Sequence, residues 1–273
     1  MTDAHLFADL SLARRLEAAE AEGTADCARH IAAKDPAAGA AVEPVAGGWA
    51  ISVGTGSPLN KCTGLGLHGP VSGADIDRIE AFFRPSGRVV FDLCPLADQS
   101  LIDALSARGY TIAEVENVLV RDLRQGLPAD DGYGRDVQVR PARPDEAEIW
   151  ARIVGQGFAG EVPVADEAIR FGLSFFGAGR SCPYLAFVGG EPAAGGGMSI
   201  RDGLVSLFGG ATLPRFRKRG VQTAMIRARL GAAAGCDLAR TCTRPGTTSQ
   251  RNAERLGFRV AYTKPQLARV LTA

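Results

Sequence analysis

Between Leu213 and Ile226 the chain reads Leu-Pro-Arg-Phe-Arg-Lys-Arg-Gly-Val-Gln-Thr-Ala-Met-Ile, so three consecutive cations, Arg217, Lys218 and Arg219, stand directly before a glycine and an apolar helical pattern. A helix N-terminus exposes backbone N–H groups that lack intrahelical partners, and its dipole favours negative charge there. Gly220 lets backbone approach a ligand with no Cβ in the way. Those features together form an anion cradle, and a phosphate or pyrophosphate is its natural guest. The Walker spacing is absent, and no Gly-x-Gly-x-x-Gly run precedes a ribose-binding acid, so ordinary nucleotide folds fit poorly.

The run Arg217-x-x-Gly220-x-Gln222 resembles the acyl-CoA pyrophosphate loop of the GNAT N-acetyltransferase superfamily, written Gln/Arg-x-x-Gly-x-Gly/Ala. Gln222 departs from the small residue expected last. Pro214 stands three residues before Arg217, as in that family, and Asn252-Ala-Glu-Arg-Leu-Gly257-Phe258 is similar to its closing helix and Gly-Phe turn. The resemblance covers about residues 137–273. It implies a mixed, mostly antiparallel sheet flanked by helices, with acetyl-CoA as co-substrate. Arg217, Lys218, Arg219, Gly220, Val221, Gln222 and Thr223 are then expected at the pyrophosphate, Ala211, Thr212 and Leu213 beside the pantetheine arm, and Asn252 as a hydrogen-bond donor to pantetheine or acceptor. Gly209-Gly210 permits a bulge that splays the strand.

The chemistry so implied is direct acyl transfer from the thioester to an amine, with no covalent enzyme intermediate. Consistent with it, His5, His30 and His68 all lie in the first half, which leaves no Ser-His or Cys-His pair for the second. The family's frequent general acid is a tyrosine four residues before the Gly-Phe glycine, and position 253 is alanine here. Tyr262 is the remaining nearby phenol, either an acid or an aromatic packed on the final strand. Glu161, on the connector Gly157–Val162, is the candidate base and would need a raised pKa or a relaying water. Two functions stay open: an N-acetyltransferase acting on a small or peptide-like amine, and a non-catalytic acyl-CoA-binding regulator.

The elements that position these residues read as follows. Leu204–Leu213 is a strand and Val221–Ala234 a helix; Leu238–Cys242 and Ser249–Leu256 follow as strand and helix. Upstream, Val137–Ala142 is a short strand, Asp145 opens one helix, residues 164–175 form a second, and strands follow near 184–188 and 194–200. A related order appears earlier: Cys62–Leu67, Ala74–Phe83, Val89–Leu93 and Ser100–Ala107. Leu105–Ala113 aligns with Ala253–Ala261 at a constant offset, 257 − 109 = 148, and Leu119 and Arg121 fall on Leu267 and Arg269. The expectation is therefore a tandem α/β protein: a degenerate acetyltransferase-like domain at 1–124, a linker at 125–136 rich in glycine and acid, and an acetyltransferase domain at 137–273. The segment Gly69–Asp75 has a serine cap but no phosphate-binding cations. An opening helix over Ala4–Ala33 supplies further core.

Thirty-one basic against 30 acidic residues leave no broad basic footprint, which argues against nucleic acid as the partner. No apolar run approaches the ~20 residues that span a bilayer, and no basic start and apolar run mark a secretory signal. The six scattered cysteines fit reduced thiols better than zinc ligands. The composition thus points to a cytoplasmic enzyme, monomer or homodimer, without metal.

Overall fold

Asp9 caps the first helix by accepting a hydrogen bond from the Leu12 amide at 2.8 Å, so α1 runs Leu10–Lys34 and buries Ala13, Leu16, Ala21, Ala25 and Ala28 along one face. Phe7, expected inside this helix, precedes the cap and is exposed. The computed structural model describes residues 6–54, 57, 59–127, 132, 134–159 and 163–271. After α1 come β1 (Ala40–Val45), β2 (Gly48–Val53), β3 (Lys61–Thr63), α2 (Gly73–Phe83), β4 (Arg88–Asp92), α3 (Gln99–Ala107) and β5 (Thr111–Asp122). The chain continues through β6 (Val137–Pro141), α4 (Ala147–Ala159), α5 (Asp166–Leu173), β7 (Ser181–Val188), β8 (Glu191–Arg201) and β9 (Leu204–Thr212). It ends with α6 (Val221–Gly231), β10 (Leu238–Thr243), α7 (Thr248–Arg255) and β11 (Arg259–Val270).

These elements divide into two units, Met1–Val118 with Val260–Ala273, and Leu119–Arg259. In the first unit β1 pairs antiparallel with β2 and β2 with β3, β3 runs parallel to β4, and β4 is antiparallel to β11. The second unit repeats the scheme: β7 pairs antiparallel with β8 and β8 with β9, and β9 runs parallel to β10, with β6 added on the outer edge of β7. Each unit is thus the mixed, mostly antiparallel sheet that the sequence predicts.

The 148-residue repeat also matches element for element, since β3-α2-β4-α3-β5 corresponds in order to β9-α6-β10-α7-β11. The closing strands, however, are exchanged. β4 takes β11 as its neighbour, from Gln266↔Asp92 to Val270↔Arg88, while β10 takes the end of β5, with the Leu123 amide bonding Asp237 O at 2.9 Å. The sequence reading ended the second domain at residue 273; the pairing of Gln266–Val270 with β4 instead puts the end of β11 in the first unit.

Apolar side chains hold each unit. A capping box between Ser72 and Asp75 starts α2, whose Ile76, Ile79 and Phe83 pack on Val89, Phe91, Leu101 and Leu105. In the second unit Trp150, Ile153 and Val154 of α4 pack with Leu185, Ala194, Val205 and Leu207, and Met225 and Phe258 complete the core. Trp150 is fully buried, and its truncation to alanine is expected to cost ~3–5 kcal/mol.

Candidate functional site

The anion cradle forms where β9 ends. Leu213 and Phe216 are buried and anchor a 3-10 turn over Pro214–Phe216; the chain then turns outward through three exposed cations. Lys218 at φ +62° and Gly220 at φ +77° take left-handed conformations, which steer the chain into α6. Glycine adopts that conformation without steric cost, whereas lysine is held there at some expense. Gly220 is the N-cap, so α6 begins with no side-chain cap and with no acid in its first turn. Its leading amides therefore remain unsatisfied by any capping side chain, and its dipole is uncompensated.

The cations divide their work. Arg217 folds back, donating from Nε to Thr212 O and from Nη2 to Gly157 O, both at 3.2 Å, which ties the end of β9 to α4. Arg219 lies over the Phe216 ring at 5.7 Å and Arg215 over the same ring at 4.8 Å, with Arg215 also paired to Glu191 at 3.2 Å. Arg217 is thus a strut as well as a charge.

Next to the cradle the sheet opens. The parallel β9–β10 register runs Leu204↔Leu238 to Leu207↔Thr241 and stops, leaving Phe208–Thr212 without a partner on β10. On the other side Gly195 faces Ala211 and Gly197 faces Phe208, so Gly209 and Gly210 bulge opposite the single residue Gly196. Gly209 sits at φ +62°. Gly209 and Gly210 therefore carry no register partner on either neighbouring strand. Among the described residues Thr212 Oγ1 is buried with no hydrogen-bond partner, an orphaned polar atom at the end of β9. A splayed strand, an uncapped cationic helix start and an orphaned hydroxyl fit a long polar guest that ends in phosphate, as acyl-CoA does.

The anomaly at Gln222 has a physical explanation. A Cβ at Gly210 would lie 3.0 Å from Gln222 Nε2, so the glycine on β9 provides the room that a small residue at 222 would otherwise provide. The same complementarity recurs deeper on α6, and the sequence reading missed it. Arg229 is 2% exposed and donates from Nη1 to Gly197 O at 2.7 Å and to Phe208 O at 3.3 Å. Gly196 makes space for it: a Cβ there would meet Nη1 at 3.1 Å. Trp150 Nε1 bonds Gly196 O at 3.0 Å. Three consecutive glycines, 195–197, in a strand were the available signal.

Asn252 lies half-buried on α7, next to a buried Ala253. Glu161 lies outside the described residues. Tyr262 is a correction to the sequence reading: it belongs to the first unit, where its hydroxyl donates to Glu17 Oε1 at 2.7 Å. Burial first, and the Glu17 charge second, push its pKa far up, which fits a structural hydroxyl rather than an acid that releases its proton. Glu17 also accepts from Lys264 at 3.2 Å, Lys264 pairs with Glu20 at 2.7 Å, and Lys61 joins Glu20 at 2.9 Å and Asp92. By the 148-residue offset Lys61 takes the place of Gly209 and Asp92 that of Arg240. Interlocked charges thus occupy, in the first unit, the positions that form bulge and strand in the second.

No protein-family model matches the chain, and no curated protein matches it in sequence. Solved structures do match in fold. A GCN5-related N-acetyltransferase from Kribbella flavida superposes with a TM-score of 0.62 at 18% identity, covering 89% of this chain and 95% of that one. A tandem GNAT protein from the clavulanic acid biosynthesis pathway gives 0.52 at 16% identity, covering 72% and 68%. A functionally unknown conserved protein from Staphylococcus epidermidis gives 0.53 at 16%, covering 74% and 82%. The chain has the fold of the GCN5-related N-acetyltransferases, tandem members included. Among the described residues no helix is long and apolar enough to cross a membrane.

Proposed function

We propose that the chain is a tandem N-acetyltransferase whose second unit moves the acetyl group of acetyl-CoA to an amine of a small or peptide-like acceptor. The observation that carries this reading is the juxtaposition, within the second unit, of the uncapped cationic start of α6 with the opened β9–β10 ladder. The first unit, with Lys61, Asp92 and Lys264 interlocked, is a scaffold in this reading. The fold it shares with acetyltransferases supports the same conclusion.

Acetyl-CoA, when bound, supplies an activated acyl group on a thiolate leaving group. The chain's residues then have distinct tasks. The amides that open α6, with Lys218 and Arg219, hold the pyrophosphate. Backbone groups of Ala211 and Thr212 pair with the pantetheine arm, and Thr212 Oγ1 gains a partner; Leu213, expected beside them, already donates its amide to Ala193 O at 3.0 Å and accepts from the Phe216 amide at 2.9 Å. The bulge amides of Gly209 and Gly210 polarise the carbonyl oxygen. The acceptor must arrive as a neutral amine. With alanine at 253 and Tyr262 bonded to Glu17, water relays to the departing thiolate the proton that the attacking amine loses as the amide forms, which a thiol of ordinary pKa near 8.5 tolerates at neutral pH.

The same missing phenol favours one rival, a regulator that binds acyl-CoA without transferring it. A panel of amines assayed for free CoA release in the presence of acetyl-CoA separates the two. Acetylated product from any amine supports the enzyme; tight acetyl-CoA binding with no product across the panel supports the regulator.

A further inference from the structure

Arg229 is among the largest fully buried side chains of the molecule, and among the described residues it pairs with no carboxylate. Its acceptors are backbone oxygens: Met225 O of its own helix at 3.1 Å, Gly197 O on β8 and Phe208 O on β9. A buried unpaired guanidinium is costly, and a leucine or methionine would fill such a place on a core helix at less expense. Two features show that the surrounding sheet is shaped to receive it. Gly196 leaves the space its Nη1 occupies, where an added Cβ would come within 3.1 Å, and the β8–β9 register shifts between Gly195 and Gly197, where Gly197 O and Phe208 O both accept from it. Burial lowers its pKa to about 10, which still leaves it charged at neutral pH.

Phe208 O belongs to the peptide unit whose nitrogen is Gly209 N. A positive charge bonded to that oxygen draws electron density through the amide and makes the Gly209 N–H a stronger donor, as in any polarised hydrogen-bond chain. Resting on the acyl-CoA reading above, we infer that Arg229 is a positioning residue: its buried charge fixes the β9 bulge and strengthens the Gly209 amide as the donor to the thioester carbonyl oxygen. The oxygen gains negative charge as the amine adds, so a donor strengthened in this way acts more on the transition state than on the bound thioester. Arg229 touches no reacting atom. Its loss is expected to lower transfer by about 10-fold, an order less than removal of a direct oxyanion donor.

The test separates charge from packing. Arg229→Lys keeps the charge, whereas Arg229→Gln keeps a donor for Gly197 O and loses the charge. Carbonyl-labelled acetyl-CoA is added to each full-length protein, and the carbon-13 shift of the bound thioester is read beside its affinity. The expected result is a downfield shift on the native protein, most of it retained with lysine and lost with glutamine, while affinity changes by less than about 3-fold. Equal shifts in all three proteins, loss of the shift in both variants, or failure of both variants to fold would each overturn the inference and leave Arg229 a structural residue. Absence of acetyl-CoA binding by the native protein is a separate outcome, which sinks the acyl-CoA reading and this inference with it.

Discussion

Replacing Gly220 with aspartate tests the cradle at its helix cap. Gly220 is the N-cap of α6 at φ +77°, ψ 0°. Aspartate tolerates the left-handed region better than most residues and is a favoured N-cap, and its charge at a helix N-terminus contributes about 0.3–1 kcal/mol of stability. The strain of a Cβ there is about 1–2 kcal/mol. These effects nearly cancel, so folding stability is expected to change by no more than ~1 kcal/mol. Binding responds differently. A carboxylate ~4 Å from a pyrophosphate charge is repelled by about 1–4 kcal/mol, for an effective dielectric between bulk water and the protein surface. At ~1.4 kcal/mol per decade this is between ~5- and ~1000-fold in affinity, and losing the helix amides to the new carboxylate adds to it. The assay is calorimetric titration with CoA, alongside Gly220→Asn, which has the same shape and no charge. Aspartate is expected to bind at least ~5-fold more weakly than asparagine at ~0.1 M salt, with the gap narrowing as salt rises. If both variants bind CoA within about 3-fold of the native chain, the pyrophosphate is not held at residues 217–223.

Tyr262→Phe removes the donor to Glu17 Oε1 and is expected to cost about 1–3 kcal/mol in urea unfolding, while CoA release changes less than about 3-fold; a large kinetic loss at unchanged stability would restore the phenol as acid. Lys264→Met removes the ion pair of the buried Glu17 and leaves Glu20 and Asp92 to Lys61, and is expected to cost ~3–5 kcal/mol of first-unit stability by the same measurement. Gly157→Ala places a Cβ 2.6 Å from that of Ala211, which outweighs the ~1 kcal/mol that alanine adds to a helix; a net loss of ~1–2 kcal/mol and weaker CoA binding are expected, and higher thermal stability would refute the contact. Glu146 is held down to about 2, first by the Arg140 guanidinium and then by the Arg143 amide. Because its folded pKa lies below the ordinary 4.5, its contribution is complete above about pH 4.5 and fades as pH falls toward 2. Glu146→Gln is accordingly expected to flatten the acid limb of a pH-denaturation curve.

What could be read from the sequence was local. The cap at Gly220, the cations and the α6 pattern lie within fifteen consecutive residues, so chain connectivity alone brings them together. The exchange of β5 and β11 was hidden for a physical reason: at the 148-residue offset the two strands present similar patterns, and either could satisfy the backbone of β4 or of β10. Only a pairing such as Gln266↔Asp92 tells them apart. Tyr262 shows the same limit more sharply. Its partner Glu17 lies 245 residues away, on α1, where a lone acid in a helix reads as a solvated face. Arg229 reads in the same way, as one more surface cation near the end of α6. The corrective signal is on another strand, in Gly195–Gly197, whose three glycines weaken a β-strand for no local reason. Such a run is explained when something large must come close. Two large polar side chains, Gln222 and Arg229, face glycines across the sheet, and each pairing makes sense of a residue that looked out of place alone.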